Sequence, residues 1–290
     1  MIQFLFVSPF ILFLIIGRKN RLPTIFEFVL SLALHYGTFI LVLPVSILLY
    51  KTKQQPWAAL LEVATEPIIL PVYVFTFLAA SIATALNTFF GLILAWVLVR
   101  YEFAGRGVLD ATVDLPFALP TSVGGLTLMT VFRDEVVVRP VCSWLGIQVM
   151  FGPLGVLIAM AFVSLPLVVR TIQPVLQNMD EDFEEAAKCL GASSWTTFWY
   201  ILFPPLIPSL LAGTASGFSR ALGEYGSIVL VASNIPTKDL VISVLLFQKL
   251  EQYDYRSAIT IAGSVLIISF GALFSINRIQ SWGKGLDEIL

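Results

Sequence analysis

Charge is what this chain of 290 residues has least of. Only 12% of its residues are Asp, Glu, Lys or Arg, about half the share in an ordinary soluble domain. The polar residues needed to cover a water-facing surface are missing. Basic excess is absent too, with 17 Lys and Arg against 19 Asp and Glu, so no nucleic-acid partner is indicated. With a single histidine, His35, no credible Ser-His-Asp arrangement forms. Cys142 and Cys189 stand apart, outside any C-x-x-C pattern, so no metal or redox centre is expected. No G-x-x-x-x-G-K-[ST] run occurs; Gly283-Lys284-Gly285 lacks the rest of that motif and reads as tail. The chain therefore has no phosphate-cradling loop of its own for ATP. No internal repeat is visible, which gives a repeat-built secondary transporter no support.

What fills the chain instead is apolar sequence, 58% of it, with a mean hydropathy of +0.90. Residues 67–99 carry no charge over 33 positions and residues 141–169 none over 29. Runs 28–50, 115–132 and 257–277 are also free of Asp, Glu, Lys and Arg, and 201–233 holds only Arg220 and Glu224. Uncharged stretches of 18 or more residues read as membrane helices. Six spans follow, near 28–50, 70–99, 115–133, 149–170, 204–233 and 256–278, so the expected fold is an all-α, polytopic transmembrane bundle. Pro116 and Pro120 interrupt the third span. Residues 1–17 lack a basic leader and a cleavage site and read as either an extra span or an interfacial segment.

The expected division is 1–24 as an apolar amino-terminal segment, 25–66 as a first span with its external loop, 67–280 as the main transmembrane domain, and 281–290 as a tail. Counting Lys and Arg puts nine on the side of residues 18–21 and the segment at 178–204, and seven on the other. The bias, with "GRKNR" before the first full span, places 178–204 on the cytoplasm-equivalent side. Cys142 and Cys189 then lie on opposite sides.

One segment is out of character. "NMDEDFEEAAKCLGASSWTTFWYILFP", residues 178–204, is acidic and helix-forming between two of the most apolar runs. Asn178 or Asp180 can cap a helix start, and the acids at 180–182 complement its positive end. Gly191 suits the left-handed position that ends a helix, and Ser193 or Ser194 offers a new cap. The pattern predicts helix, glycine turn, then a second helix up to Pro204 and Pro205. A solvated surface loop would not need Trp195, Phe198, Trp199 and Tyr200. Some of these rings suit the lipid interface, and Ala186 and Ala187 beside Gly191 form a smooth face for a partner's groove.

Glu185-Ala186-Ala187, three residues, Gly191, nine residues, then Ile201-Leu202-Phe203-Pro204 resembles the EAA loop of binding-protein-dependent ABC importer permeases. The pattern departs only at Phe203, where that family usually has Leu. Residues 94–128 and 218–236 are similar to sulfate permeases of the CysT type, and the likeness covers roughly 60–280. The "RALGE" stretch is shared with molybdate permeases. The resemblance implies a type I ABC permease fold and transport of sulfate or thiosulfate, with molybdate or another oxyanion as the alternative. It implies a second, similar permease, two ATPase subunits that use the ATP, and a sulfate-binding protein. No cofactor is expected on this chain. Glu185, Ala186, Ala187, Gly191, Ile201 and Pro204 would couple hydrolysis to transport, with the span after Pro204 receiving the motion. Plastid relatives point to a chloroplast membrane, with the bacterial inner membrane as the alternative.

Intramembrane charge is costly and suggests function. Arg220 and Glu224, four apart, are expected to share a helix face and pair, either as a clasp or gate, or with Arg220 facing the anion. Ser122, Gly124, Gly125 and Ser219 are candidates for the translocation path, against close packing through small residues. His35 is expected to be a hydrogen-bonded packing residue. A secondary anion transporter or channel would want carboxylates on several spans, and a membrane-embedded enzyme convergent His, Asp or Glu; neither pattern is present.

Overall fold

The computed structural model describes residues 25–133, 138–180 and 182–287. The readings of 1–17, of Glu181 as a helix-start acid and of the last residues of the tail fall outside the described residues or their described side chains. The chain divides into two compact units, residues 1–60 and 61–290.

In the first unit, α1 (Ile25–Gly37) runs through a π-helical turn (Thr38–Val42) into α2 (Leu43–Gln54). Phe28–Gln54 is long and apolar enough to cross a membrane. Its apolar side chains are bare on every side, Phe28, Leu32, Phe39 and Leu41 among them, as suits a helix in lipid. His35 Nδ1 donates to the Ser31 carbonyl at 2.7 Å, one turn back.

The second unit begins within α3 (Trp57–Ala64), and its first long helix is α4 (Ile69–Arg100), 32 residues without a break. Three short helices follow, α5 (Arg106–Val113), α6 (Leu115–Ala118) and α7 (Thr121–Arg133), then α8 (Val138–Trp144). The second long helix is α9 (Pro153–Gln177). The segment singled out by its acidity forms α10 (Asp182–Cys189) and α11 (Ser194–Thr197). A π-turn (Phe198–Leu202) leads into α12 (Phe203–Leu222), and α13 (Ile228–Val231), α14 (Ile242–Glu251) and α15 (Tyr255–Asp287) complete the chain.

Helices α4, α9 and α12 pack on one another, with α15 against α12. Val168 of α9 sits where they meet. A Cβ on Gly213 of α12 would come within 3.2 Å of the Val168 backbone, and one on Gly91 of α4 within 3.0 Å of its side chain. Small residues let these backbones approach, which is how helices associate where no hydrophobic force separates lipid from protein. Polar side chains add specific ties: Asn87 of α4 donates to the Ala161 carbonyl and to Ser164 of α9, both at 2.8 Å, and Thr88 meets Thr214 of α12 at 2.8 Å. One apolar cluster lies around Ile69, Val156, Ile228 and Ile261. A second lies around Leu98, Val168, Leu176 and Leu206.

Five helices among the described residues are long and apolar enough to span: Phe28–Gln54, Ile69–Arg100, Pro153–Gln177, Ser194–Leu222 and Tyr255–Ala272. The expected third span at 115–133 is divided between α6 and α7, because Pro120 has no amide to continue the ladder. At 13 residues, α7 rises about 20 Å. The expected fifth span starts earlier, at Ser194, and stops at Leu222 rather than 233.

α7 lies across the break after α12. A Cβ on Gly125 would stand 2.6 Å from the Ser227 Cα and 2.8 Å from its carbonyl oxygen, closer than any real side chain allows. Gly125→Ala should therefore lower the melting temperature of the detergent-solubilised protein, at a cost of about 1–3 kcal/mol. Gly271→Ala, where a Cβ meets nothing within 4 Å inside α15, should leave it unchanged or raise it.

Candidate functional site

α10 begins with Asp182, Glu184 and Glu185 in its first turn and ends with Lys188 in its last, both favourable to the helix dipole. Asp180 supplies the side-chain cap, accepting from the Asp182 amide at 3.2 Å. Asn178 instead closes α9. The helix ends in a Schellman turn: the Gly191 amide donates to the Lys188 carbonyl and the Ala192 amide to the Ala187 carbonyl, each at 3.0 Å. Gly191 has φ +83°, a conformation that costs an L side chain about 1–2 kcal/mol. Ser193 then caps α11 by accepting from the Thr196 amide at 3.2 Å.

Consecutive helical residues cannot share a face, and this separates the alanine pair. Ala187 is 3% exposed and turned into its own unit, whereas Ala186 is exposed. Phe183, Ala186 and Leu190 line the open side, and Phe183 and Leu190 are 65% and 89% exposed. Glu185 is exposed as well. Glu184, one residue earlier, faces inward and pairs with Arg100 at the end of α4 at 2.7 Å. A cleft of about 690 Å³ opens between α10 and the ends of α4 and α9, lined among others by Arg106, Met179, Glu185 and Lys188.

The second helix does not stop at Pro204. It runs from Ser194 to Leu222 through both prolines. The π-turn at 198–202 ends two residues before Pro204 and is closed by the Phe203 amide donating to the Phe198 carbonyl, five residues back. This widened turn accommodates a ring that lacks an N–H and would otherwise clash one turn earlier. The same device stands before Pro44 in the first unit. Ile201 lies within the π-turn. Trp195, Trp199 and Phe203 meet edge-to-face along one side, with centroids 5.6 and 4.7 Å apart.

A second charged group was invisible as a site in the sequence. Arg170 of α9 uses all five of its N–H donors. Nε and Nη2 hold the two Asp114 carboxylate oxygens at 2.9 and 2.6 Å. Nη1 donates to Asp110 Oδ1 at 2.7 Å and Gln173 Oε1 at 2.6 Å, and Nη2 also donates to the Asp110 carbonyl at 2.9 Å. The clamp fastens α5 to α9. The one signal available beforehand was the i, i+4 spacing of two like charges, Asp110 and Asp114, which is unfavourable unless a cation lies between them.

Arg220 Nη1 and Glu224 Oε2 meet at 2.8 Å. They are not on one helical face, since α12 ends at Leu222. Glu224 is 1% exposed and lies in the break, where its other oxygen accepts from the Ser227 amide at 2.9 Å and hydroxyl at 2.7 Å. Ser243 Oγ donates to the Glu224 carbonyl at 2.6 Å. The acid thus holds the break together. Gly124 and Gly125 are buried against Phe162 and Ser227. Ser122 and Ser219 are exposed, with Ser219 Oγ bonded to the Ala215 carbonyl at 3.0 Å. Both thiols are free, Cys189 exposed and Cys142 half-buried.

An apolar multi-helix bundle carrying a water-exposed helix, glycine turn and continuous span defines an importer permease class. Residues 87–279 match the family described as binding-protein-dependent transport system inner membrane component, and the chain belongs to that family. It is a multi-pass membrane protein and a transport permease subunit. A "probable sulfate transport system permease protein cysT" of Marchantia polymorpha is 72% identical over 98% of this chain and 99% of that one. A protein of the same description from Zygnema circumcarinatum is 62% identical over 99% and 100%. The "sulfate transport system permease protein CysT" of Synechocystis is 51% identical over 86% and 87%. The fold is also that of a chain in the crystal structure of a bacterial ABC transporter involved in import of the acidic polysaccharide alginate. There the TM-score is 0.69 at 15% identity, over 87% of this chain and 93% of that one.

Arg170→Lys has three donors where five are used, and should destabilise the solubilised protein by about 1–3 kcal/mol in thermal melts. The Gln173 amide and then the Arg170 guanidinium hold the Asp110 carboxyl below its ordinary value of 3.8. A depressed acid stabilises above its unfolded-state pKa, and that contribution is lost as pH falls through the lowered folded value. Asp110→Asn should therefore flatten the acid side of a melting-temperature profile below about pH 4 and leave its slope near neutrality unchanged.

Proposed function

We propose that this chain is a transmembrane permease subunit of an ATP-driven sulfate and thiosulfate importer. The observation that carries the importer reading is the folded EAA segment. A helix with an exposed apolar stripe (Phe183, Ala186, Leu190) ends in a Schellman turn, and after it a membrane span runs from Ser194 without a break. Such a helix is a lever that a soluble motor can grip. Sulfate as the substrate is supported by relatives named for it at 72% and 51% identity. Molybdate or another oxyanion is the alternative, and a secondary anion transporter the rival from another class.

In this reading the chain is not an enzyme. Two ATP-binding cassette subunits hydrolyse ATP, one of them seated on α10. A second, similar permease completes the anion path, and a sulfate-binding protein delivers the anion on the opposite side of the membrane. The permease domain is taken as 67–280, with 178–204 as its coupling loop. Glu185, Ala186, Gly191, Ile201 and Pro204 serve coupling directly, and Ala187 seats the helix on its own unit. Arg220 and Glu224 act as a clasp on the break after α12, a gate element rather than an anion ligand, because Glu224 already neutralises the charge. Ser122 and Ser219, both exposed, remain the polar groups offered to the path. The relatives from plants and algae favour a chloroplast inner envelope location over a bacterial inner membrane.

Uptake of radiolabelled sulfate and of molybdate, compared in cells with and without this gene, tests the reading. Sulfate uptake should be lost and molybdate uptake retained; loss of molybdate alone would transfer the assignment, and no change in either would end it. Gly191→Asp should leave the protein inserted yet depress ATP-dependent uptake, and Gly191→Val should be worse. Space at Gly191 is open, so the penalty is one of left-handed backbone, which Asp tolerates better than a β-branched residue.

A further inference from the structure

We infer that the coupling helix is seated on two membrane helices rather than one, with Glu184 as the positioning residue for the second seat. The inference rests on the importer reading above. The covalent route from α10 to the span runs only through Leu190–Ser193, where a Cβ on Gly191 would touch nothing within 4 Å. Backbone hydrogen bonds hold that turn, but no side chain braces it at Gly191. A joint of that kind sets an angle without resisting much force.

The second seat is the ion pair between Glu184 and Arg100. Arg100 is the last residue of α4, at the negative end of a 32-residue helix, and Glu184 lies in the first turn of α10, at its positive end. Each charge therefore suits its own helix as well as its partner. Side-chain exposures of 15% and 19% keep the pair largely out of water, where screening is weak.

The contacts then close on themselves. The Arg100 guanidinium lies 5.5 Å from the centroid of Trp96, one turn back on α4. Trp96 meets Phe198 edge-on at 5.4 Å, and Phe198 opens the π-turn that leads into α12. From Phe198 the chain returns through the Ser193 cap and the Gly191 turn to α10. A closed ring of this kind cannot hinge at one joint. Displacing α10 moves the ends of α4 and α12 together, and Asn87 and Thr88 tie α4 to α9 and α12 deeper in the bundle. The two adjacent acids therefore differ in role. Glu184 holds the helix to its own subunit, and Glu185 stays exposed at the cleft.

The test uses the whole transporter in proteoliposomes, with anion uptake and ATP hydrolysis followed together. Arg100→Glu and Glu184→Arg should each lower uptake per ATP hydrolysed by about tenfold while hydrolysis persists. The exchanged pair should recover to within about threefold of wild type. Normal coupling in the single variants, or an exchanged pair no better than either, overturns the proposal. If a reversal prevents assembly with the ATPase, Arg100→Gln and Glu184→Gln replace it. The double variant must then be no worse than the worse single one, and effects that multiply overturn the inference. Absence of ATP-driven uptake in wild type would instead defeat the importer reading, and the seat with it.

Discussion

The end of the second unit that carries residues 178–204 depends on one helix not breaking. From Ser194 to Leu222 the chain passes two consecutive prolines, each lacking the amide that the ladder needs. In water such a site could open into a loop. Within an apolar phase, bare carbonyls have no solvent to turn to, so the helix widens into a π-turn instead. That widening makes α11, the π-turn and α12 one rod, with no swivel at Pro204.

A similar constraint governs charge. With so few ionisable side chains, two that enter the described bundle, Arg170 and Glu224, are each engaged several times over. Arg170 commits all five donors to two carboxylates, an amide and a carbonyl. Glu224 serves Arg220 with one oxygen and the Ser227 turn with the other. These groups occupy the places where helices end: α5 on α9, the break after α12, the meeting of α4 and α10. Apolar contacts hold the long helices side by side, and the charged groups decide how the short ones are fastened to them.

Much of this was legible from residue order. Uncharged runs longer than a membrane is thick gave the helical class, and the Glu185-to-Pro204 spacing pointed to the permease family. Gly191 as a left-handed terminator and Ser193 as a cap are local matters, settled within four residues. Several expectations changed, some by contact across the chain and some by local backbone geometry. Ala186 and Ala187 looked like one docking face until packing turned Ala187 inward. Arg220 and Glu224 looked like neighbours on a helix, but α12 ends between them. Pro204 looked like a terminator because a local rule cannot register the π-turn that absorbs it.

By itself the sequence determined that this protein lives in a membrane as a helical bundle and carries one short polar segment, 178–204, between its apolar runs. Hydrophobicity and turn chemistry act over distances of a few residues or along one helix, so they can be read in order. Only the tertiary structure decided which acid pairs with Arg100 and which stays exposed, and that Arg170 and Arg100 are fasteners. Those outcomes depend on side chains such as Asp114 and Arg170, or Arg100 and Glu184, that lie 56 and 84 positions apart and meet only once the helices have packed.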